Sequence, residues 1–191
     1  MPRQILFIQG AGEGVYDNWD DKLVRSLKAQ LGQQYDVRYP RMPNEAEPLY
    51  PNWKAALFKE FDELEDDVIP VGHSIGGTFL IHAIAEHWPK RRWTAVLLIA
   101  SPLLGEGGWP SDETDPAANL TDELRTDVPV FLYHGTADEE VPLKHMELYA
   151  KAIPHATVRI LAERDHQLNN NPSEIAEDIR NGFRLSGNEH L

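Results

Sequence analysis

The 191-residue chain contains no cysteine. That removes disulfides, thiolate metal sites and cysteine nucleophiles together, and it leaves the redox compartment open. Long apolar runs are also missing. Stretches such as Thr94 to Ala100 fall far short of the roughly 20 residues that a membrane-spanning helix needs. Basic charge is scarce: 18 Lys and Arg stand against 31 Asp and Glu, a formal net charge of −13. Nucleic-acid binding rests on neutralising phosphates with Lys and Arg, so this balance argues against it and disfavours anionic partners in general. The acidic run Asp62-Glu63-Leu64-Glu65-Asp66-Asp67 lacks the alternating oxygen ligands and central glycine of a calcium loop, and reads as a solvated helix end. Met1 to Gln4 leads straight into Ile5-Leu6-Phe7-Ile8, too brief for a secretory h-region. The expectation is a cytoplasmic protein with no membrane segment.

What is present is a pattern. A hydrophobic content of 41% is ordinary for a folded domain. Short apolar runs alternate with helix-period segments from one end to the other, the mark of an α/β fold with a parallel sheet. Strands are expected at Ile5–Gln9, Tyr35–Tyr39, Val68–Gly72, Thr94–Ala100, Val130–His134 and Thr157–Leu161. Most are continuously apolar, as strands covered on both faces should be. Trp19, Leu23, Leu27 and Leu31 form one helical stripe, and Trp53, Leu57 and Phe61 another. A last helix is expected with Asn171 as cap, Pro172 at its first position and Glu174 at its third, burying Ile175, Ile179 and Phe183. The connection from Pro102 to Asp127 is long and rich in Gly, Pro and acidic residues. Connections of that length are usually functional or mobile. No repeat or linker divides the chain, so one domain over 1–185 and a frayed tail over 186–191 are expected.

Gly72-His73-Ser74-Ile75-Gly76-Gly77 follows an expected strand and opens an expected helix. A serine in so sharp a turn needs neighbours without a Cβ two positions away, and the turn lifts its hydroxyl to the C-terminal edge of the sheet. Serine is a weak nucleophile unless a base takes its proton. Eight histidines compete for that role. His73, inside the turn, should point away from Ser74. His82, His87, His145, His155 and His190 read as surface or satisfied structural groups, and His134 as a packing residue. His166 differs: it lies in a polar loop between the last strand and the last helix, at the same sheet edge as Ser74. Asp138 is the first carboxylate after the strand Val130–His134 and its Gly135 turn. It would fix the imidazole tautomer and stabilise the imidazolium. Glu139 and Glu140 follow at once, and Asp165 beside His166 is the runner-up.

Acyl transfer needs two N–H donors for the developing oxyanion. Ile75, following the nucleophile, should supply one. The loop Gln9-Gly10-Ala11-Gly12-Glu13-Gly14 should supply the other, with Ala11 first and Gly12 second. As a phosphate cradle this loop fails, because Val15 stands where G-x-G-x-x-G needs a small residue. Gly10, Gly12, Tyr16 and Trp109 are expected to contact substrate, with Trp19 as a further wall. For each aromatic, plain core packing competes with that role.

These segments together resemble the α/β-hydrolase superfamily: Gln9-Gly10-Ala11-Gly12, Gly72 to Gly77, His134 to Asp138 with Val141-Pro142, and Asp165-His166. The likeness covers nearly the whole chain. In size the chain is similar to the small YdeN-like serine hydrolases, which include the retinoblastoma-binding-protein type. The resemblance implies a three-layer α/β/α sandwich on a mostly parallel six-stranded sheet, without the first two strands or the lid domain of larger members. Many members carry His-Gly where this chain has Gln9-Gly10, which raises the question of how that loop is held. The expected activity is hydrolysis of a small carboxylic ester through an acyl-enzyme on Ser74, with no metal or organic cofactor. Thioester or peptide hydrolysis by the same residues is a second reading. A non-catalytic binding protein on the same fold is a third. Oligomeric state is not encoded in any of these features.

Overall fold

Alternation along the strands decides the layers. In the computed structural model, which describes residues 2–88, 92–105, 107–110 and 120–183, strand β1 spans Arg3–Ile8. Its Ile5 and Phe7 join one apolar cluster while Leu6 and Ile8 join another, as the two-residue period of a strand requires. β4 (Val96–Ile99) and β5 (Val130–Gly135) divide their side chains the same way. With β2 (Tyr35–Arg38), β3 (Ile69–His73) and β6 (Thr157–Leu161) they form one six-stranded sheet in the order β2-β1-β3-β4-β5-β6. Every neighbouring pair is parallel.

The helices bury their stripes on both faces. α1 (Asp21–Leu31) and α6 (Ser173–Arg180) cover one side, where Leu23, Leu27, Leu31, Ile175 and Ile179 meet Ile5 and Phe7. α2 (Tyr50–Asp62), α3 (Ile75–Glu86), a short α4 (Leu120–Glu123) and α5 (Lys144–Ala152) cover the other. There Trp53, Leu57 and Phe61 pack with Phe79, Leu80, Met146 and Tyr149. Each such side chain contributes roughly 1.5–3 kcal/mol by leaving water. The result is the expected three-layer sandwich, parallel throughout.

Three local expectations change. Trp19 leaves the stripe of α1, because Val15–Asp20 forms a π-helical turn whose wider spacing rotates it outward; it is 54% exposed. The last helix begins at Ser173, after Pro172. Glu174 pairs with Arg164 and Ser173 instead of closing a capping box. Phe183 still reaches the core, but through a turn with φ 59° beyond the helix end. The long connection after β4 is partly ordered by hydrogen bonds: Trp109 N–H donates to the Leu103 carbonyl at 2.9 Å, and Gly105 N–H to the Trp109 carbonyl at 2.9 Å. The expected tail 186–191 lies outside the described residues.

β1 pairs with β2 on one side and β3 on the other, so the strand order reverses between β1 and β3. Ligands of open α/β sheets bind beyond the carboxyl ends of strands at such a point. The loop after β1 and the turn after β3 both emerge there.

Candidate active site

The turn after β3 is built by close approach. A Cβ on Gly72 would stand 2.3 Å from Gly77 Cα, and one on Gly76 would stand 1.9 Å from the Gln9 carbonyl oxygen. Neither position has room for a side chain. Ser74 between them takes φ 52°, ψ −135°, a strained conformation for a non-glycine residue. Its amide is anchored to the Ile99 carbonyl at 2.8 Å. The serine therefore sits at the N-terminus of α3, above the sheet edge.

His166 comes to the same place from the loop after β6. Its Nδ1 lies 2.9 Å from Asp138 Oδ2. The Asp138 side chain is itself fixed, its other oxygen accepting the Glu140 and Val141 N–H groups at 2.9 Å each. Burial pushes the Asp138 carboxyl up, but the His166 hydrogen bond, the Val141 N–H and the nearby imidazoles outweigh it and hold it below the ordinary carboxylate value. Of the acidic trio, only Asp138 reaches the ring; Glu139 and Glu140 are exposed. Asp165 turns the other way and accepts the Asn169 N–H at 2.6 Å. His166 Nδ1 thus donates to Asp138 and leaves Nε2 as the acceptor. Ser74 Oγ makes no hydrogen bond to a described residue, a looseness common before substrate arrives.

Ser74, Ile75, Ala11 and His166 line one cleft of about 470 Å³. Its walls are Val15, Trp19, Pro48, Trp109 and Val141, and Glu140 and Gln167 add polar groups at the rim. Among the described residues, no Lys or Arg lines it. Trp109 is set there by its hydrogen bonds to Leu103 and Gly105 and by His145, whose ring stands edge-on to the indole at 5.3 Å. Gly10, Gly12 and Tyr16, expected as substrate contacts, lie outside this lining. Gly10 N–H donates to Asp20 at 2.7 Å and Gly12 N–H to the Glu45 carbonyl at 2.7 Å. Tyr16 stacks on Tyr39 with ring centroids 4.3 Å apart, and its hydroxyl donates to the Tyr39 carbonyl. With Gly12 engaged, the second choice of oxyanion donor is withdrawn. Ala11 N–H and Ile75 N–H have no hydrogen-bond partner among the described residues.

How the loop after β1 is held without a His-Gly pair is now plain. The Gln9 side chain receives Met42 N–H at 3.0 Å and gives its own N–H to Glu45 at 2.5 Å. The Glu45 carboxylate also accepts from Gly14 and Tyr16 N–H. Glu45 and Asp20 were not singled out by sequence reasoning. In an acidic chain a lone carboxylate looks solvated, and the one available signal was Asp20 standing just before an apolar stripe. The other histidines disperse. His73 is buried, with ring contacts described below, and His134 donates to the Val141 carbonyl at 2.8 Å. His82 is neither exposed nor satisfied: it is buried, and neither ring nitrogen has a hydrogen-bond partner among the described residues. His87 is exposed at the end of α3, His155 is half-buried, and His190 lies outside the described residues.

Residues 5–169 match the family model described as serine hydrolase. Among solved structures, the ydeN gene product from B. subtilis aligns with a TM-score of 0.68 at 16% identity, covering 95% of this chain and 98% of that one. A YdeN-like hydrolase from Pectobacterium atrosepticum gives 0.65 at 13%, covering 95% and 91%. A meta-cleavage product hydrolase, CumD, gives 0.69 at 18%, covering 96% and 91%. At such identities these likenesses are of fold. No curated protein matches by sequence. The family model spans most of the chain and its match runs from β1 through His166, so this protein belongs to the serine hydrolase family and is an enzyme, a hydrolase, on the α/β-hydrolase fold.

Proposed function

We propose that the enzyme hydrolyses small carboxylic esters through an acyl-enzyme on Ser74. The observation that carries this reading is the 2.9 Å hydrogen bond from His166 Nδ1 to Asp138, in a cleft that His166 shares with a strained Ser74. In the first half-reaction His166 Nε2 takes the Ser74 proton as Oγ bonds to the ester carbonyl carbon. The oxygen that gains negative charge is received by the Ala11 and Ile75 N–H groups. Collapse breaks the bond to the alkoxy oxygen, which leaves with the proton held by His166. Water then repeats the sequence, releasing the acid and restoring Ser74. Asp138 keeps the imidazole in the correct tautomer throughout.

The walls suit an uncharged, apolar acyl group. They are largely apolar, and among the described residues the one ionisable group besides His166 is a carboxylate, Glu140. An anionic acyl chain would meet no counter-charge among these residues. Of the substrates this machinery serves, an ester asks least of it, because its leaving group needs less help from the acid than an amine does.

Rapid mixing with p-nitrophenyl esters tests the reading. A burst of p-nitrophenol equal to the enzyme concentration, together with an acylated Ser74 peptide in the quenched digest, is expected. Faster turnover of an aminoacyl arylamide than of any ester in a graded series would reassign the enzyme as a peptidase.

A further inference from the structure

Two buried side chains take no part in these proton transfers yet touch all three parts of the site. Asp20 is fully buried at the end of the π-helical turn, and His73 is 1% exposed at the end of β3. Both Asp20 carboxylate oxygens stand 2.9 Å from His73 Nδ1, and Oδ2 also accepts the Gly10 N–H at 2.7 Å. On the other side of the ring, His73 Nε2 lies 2.9 Å from the carbonyl oxygen of His166.

With Asp20 ionised, proton counting gives the state of this ring. A peptide carbonyl only accepts, so Nε2 must donate. A carboxylate also only accepts, so Nδ1 must donate too. With a proton on each nitrogen the ring is an imidazolium, and Asp20 supplies its counter-charge. Burial alone pushes His73 down, but Asp20 and the His166 carbonyl outweigh it and hold the ring above the ordinary histidine value; Asp138 adds to the same side. The facing ionisable groups are thus Asp20, Asp138 and His166, the last with its ring centroid 4.7 Å away.

A buried ion pair is a weak way to gain stability, since well-packed apolar residues often serve as well or better. Its location supplies a different reason. His73 immediately precedes Ser74. Gly10 immediately precedes Ala11, and a Cβ on Gly10 would stand 3.1 Å from Ser74 Cβ and 3.3 Å from His73 Nδ1. The third contact is to the backbone of residue 166 itself. One pair of charges therefore ties together the strand end that carries the nucleophile, the loop that offers an oxyanion donor, and the loop that carries the base.

We propose that Asp20 and His73 are positioning residues, a charged clamp that holds Ser74, the Ala11 N–H and His166 in mutual register. The proposal rests on the reading of Ser74 and His166 given above. It predicts a loss in turnover rather than in substrate binding, because misplacement of about 1 Å between reacting groups can cost on the order of a hundredfold.

The test uses four variants of the full chain. His73→Phe removes both ring donors. His73→Asn keeps a donor near Nδ1, His73→Gln keeps one near Nε2, and Asp20→Asn removes the counter-charge. Kinetics with p-nitrophenyl acetate should show kcat down about a hundredfold in His73→Phe and Asp20→Asn, with KM within about threefold of wild type. His73→Asn and His73→Gln should fall between those and wild type. Proton NMR of the wild type should show two far-downfield ring N–H signals that vanish in His73→Phe. Folded His73→Phe with wild-type kcat would overturn the proposal, as would the loss of only one ring N–H signal in His73→Phe at neutral pH. Should His73→Phe not fold, wild-type kcat in His73→Gln and Asp20→Asn would overturn it equally. If Ser74→Ala abolishes turnover while these variants keep it, only the clamp fails. If Ser74→Ala keeps turnover, the reading beneath it fails.

Discussion

His73 and His82 lie on either side of Ser74 in sequence, one at the end of β3 and the other inside α3. Both are buried, at 1% and 4% exposure. Their surroundings differ in kind. His73 has an acceptor at each ring nitrogen. His82 has none among the described residues, and its ring stands edge-on to Tyr50 at a centroid distance of 6.5 Å. Burial pushes His82 down to about 4 against a weaker pull from Glu86, so the ring stays neutral and behaves as an aromatic filler. The same burial acts on His73 and loses to Asp20. Depth does not decide the charge of a histidine; its partners do. The rim of the sheet uses polar groups to fix positions, whereas the interior of α3 tolerates an imidazole without a polar role. Rim substitutions outside the buried Asp20–His73 pair should cost activity and leave stability nearly intact. Interior substitutions should do the reverse.

The largest expected effect lies at the rim. Asp138→Asn keeps the shape of the acid but favours the wrong imidazole tautomer, and should lower kcat by roughly 10⁴. Its melting temperature should stay close to wild type. A large fall in stability with kcat preserved would erase the distinction between the two regions.

The second effect is interior and depends on pH. A histidine with a depressed folded-state pKa binds fewer protons folded than unfolded. Its contribution is complete above the unfolded value of about 6.5, declines as pH falls, and levels off below the folded value of about 4. A shift of that size corresponds to about 3 kcal/mol. Urea unfolding across this range should show His82→Leu losing less stability on acidification than wild type. His73 acts with the opposite sign. Its raised pKa makes its contribution complete in acid, below the unfolded value, and lost as pH climbs through the folded value. His73→Gln should therefore flatten the alkaline side of the profile, not the acidic side. Identical acid profiles for wild type and His82→Leu would show that His82 finds a partner.

The smallest effect concerns the cleft walls. Trp19 and Trp109 are 54% and 38% exposed, so neither supports the core. Replacing either with Ala should raise KM for an aromatic ester about fivefold, close to 1 kcal/mol, with kcat and melting temperature little changed. A drop in kcat without a change in KM would place these rings in the reaction and not in binding.

Much of this molecule is legible in its sequence, for identifiable reasons. The layers follow from apolar runs bounded by turn residues, so β6 falls at Thr157–Leu161 as its β-branched run suggests. Ser74 is legible because the turn's geometry forbids side chains at Gly72 and Gly76. The supports of the site are not legible. Asp20 meets Gly10 and His73, and Glu45 meets Gln9 and Gly14, only because the sheet brings distant segments together. No local pattern marks Glu45, and Asp20 is marked only by its place before an apolar stripe. Trp19 was expected as a cleft wall and lines the cleft, but its departure from the regular stripe of α1 was hidden, since a π-helical turn shifts its phase. The hydrogen bonds between Leu103, Gly105 and Trp109, and α4, were hidden by a composition that resembles an open loop.

The central claim is that Ser74 is the nucleophile and His166 its base. A fluorophosphonate probe measures it directly, with the modified residue mapped by mass spectrometry. The expected result is a single adduct on Ser74 in the wild type, none in Ser74→Ala, and severely slowed labelling in His166→Ala. An adduct on another residue, or labelling that persists in Ser74→Ala, would contradict it.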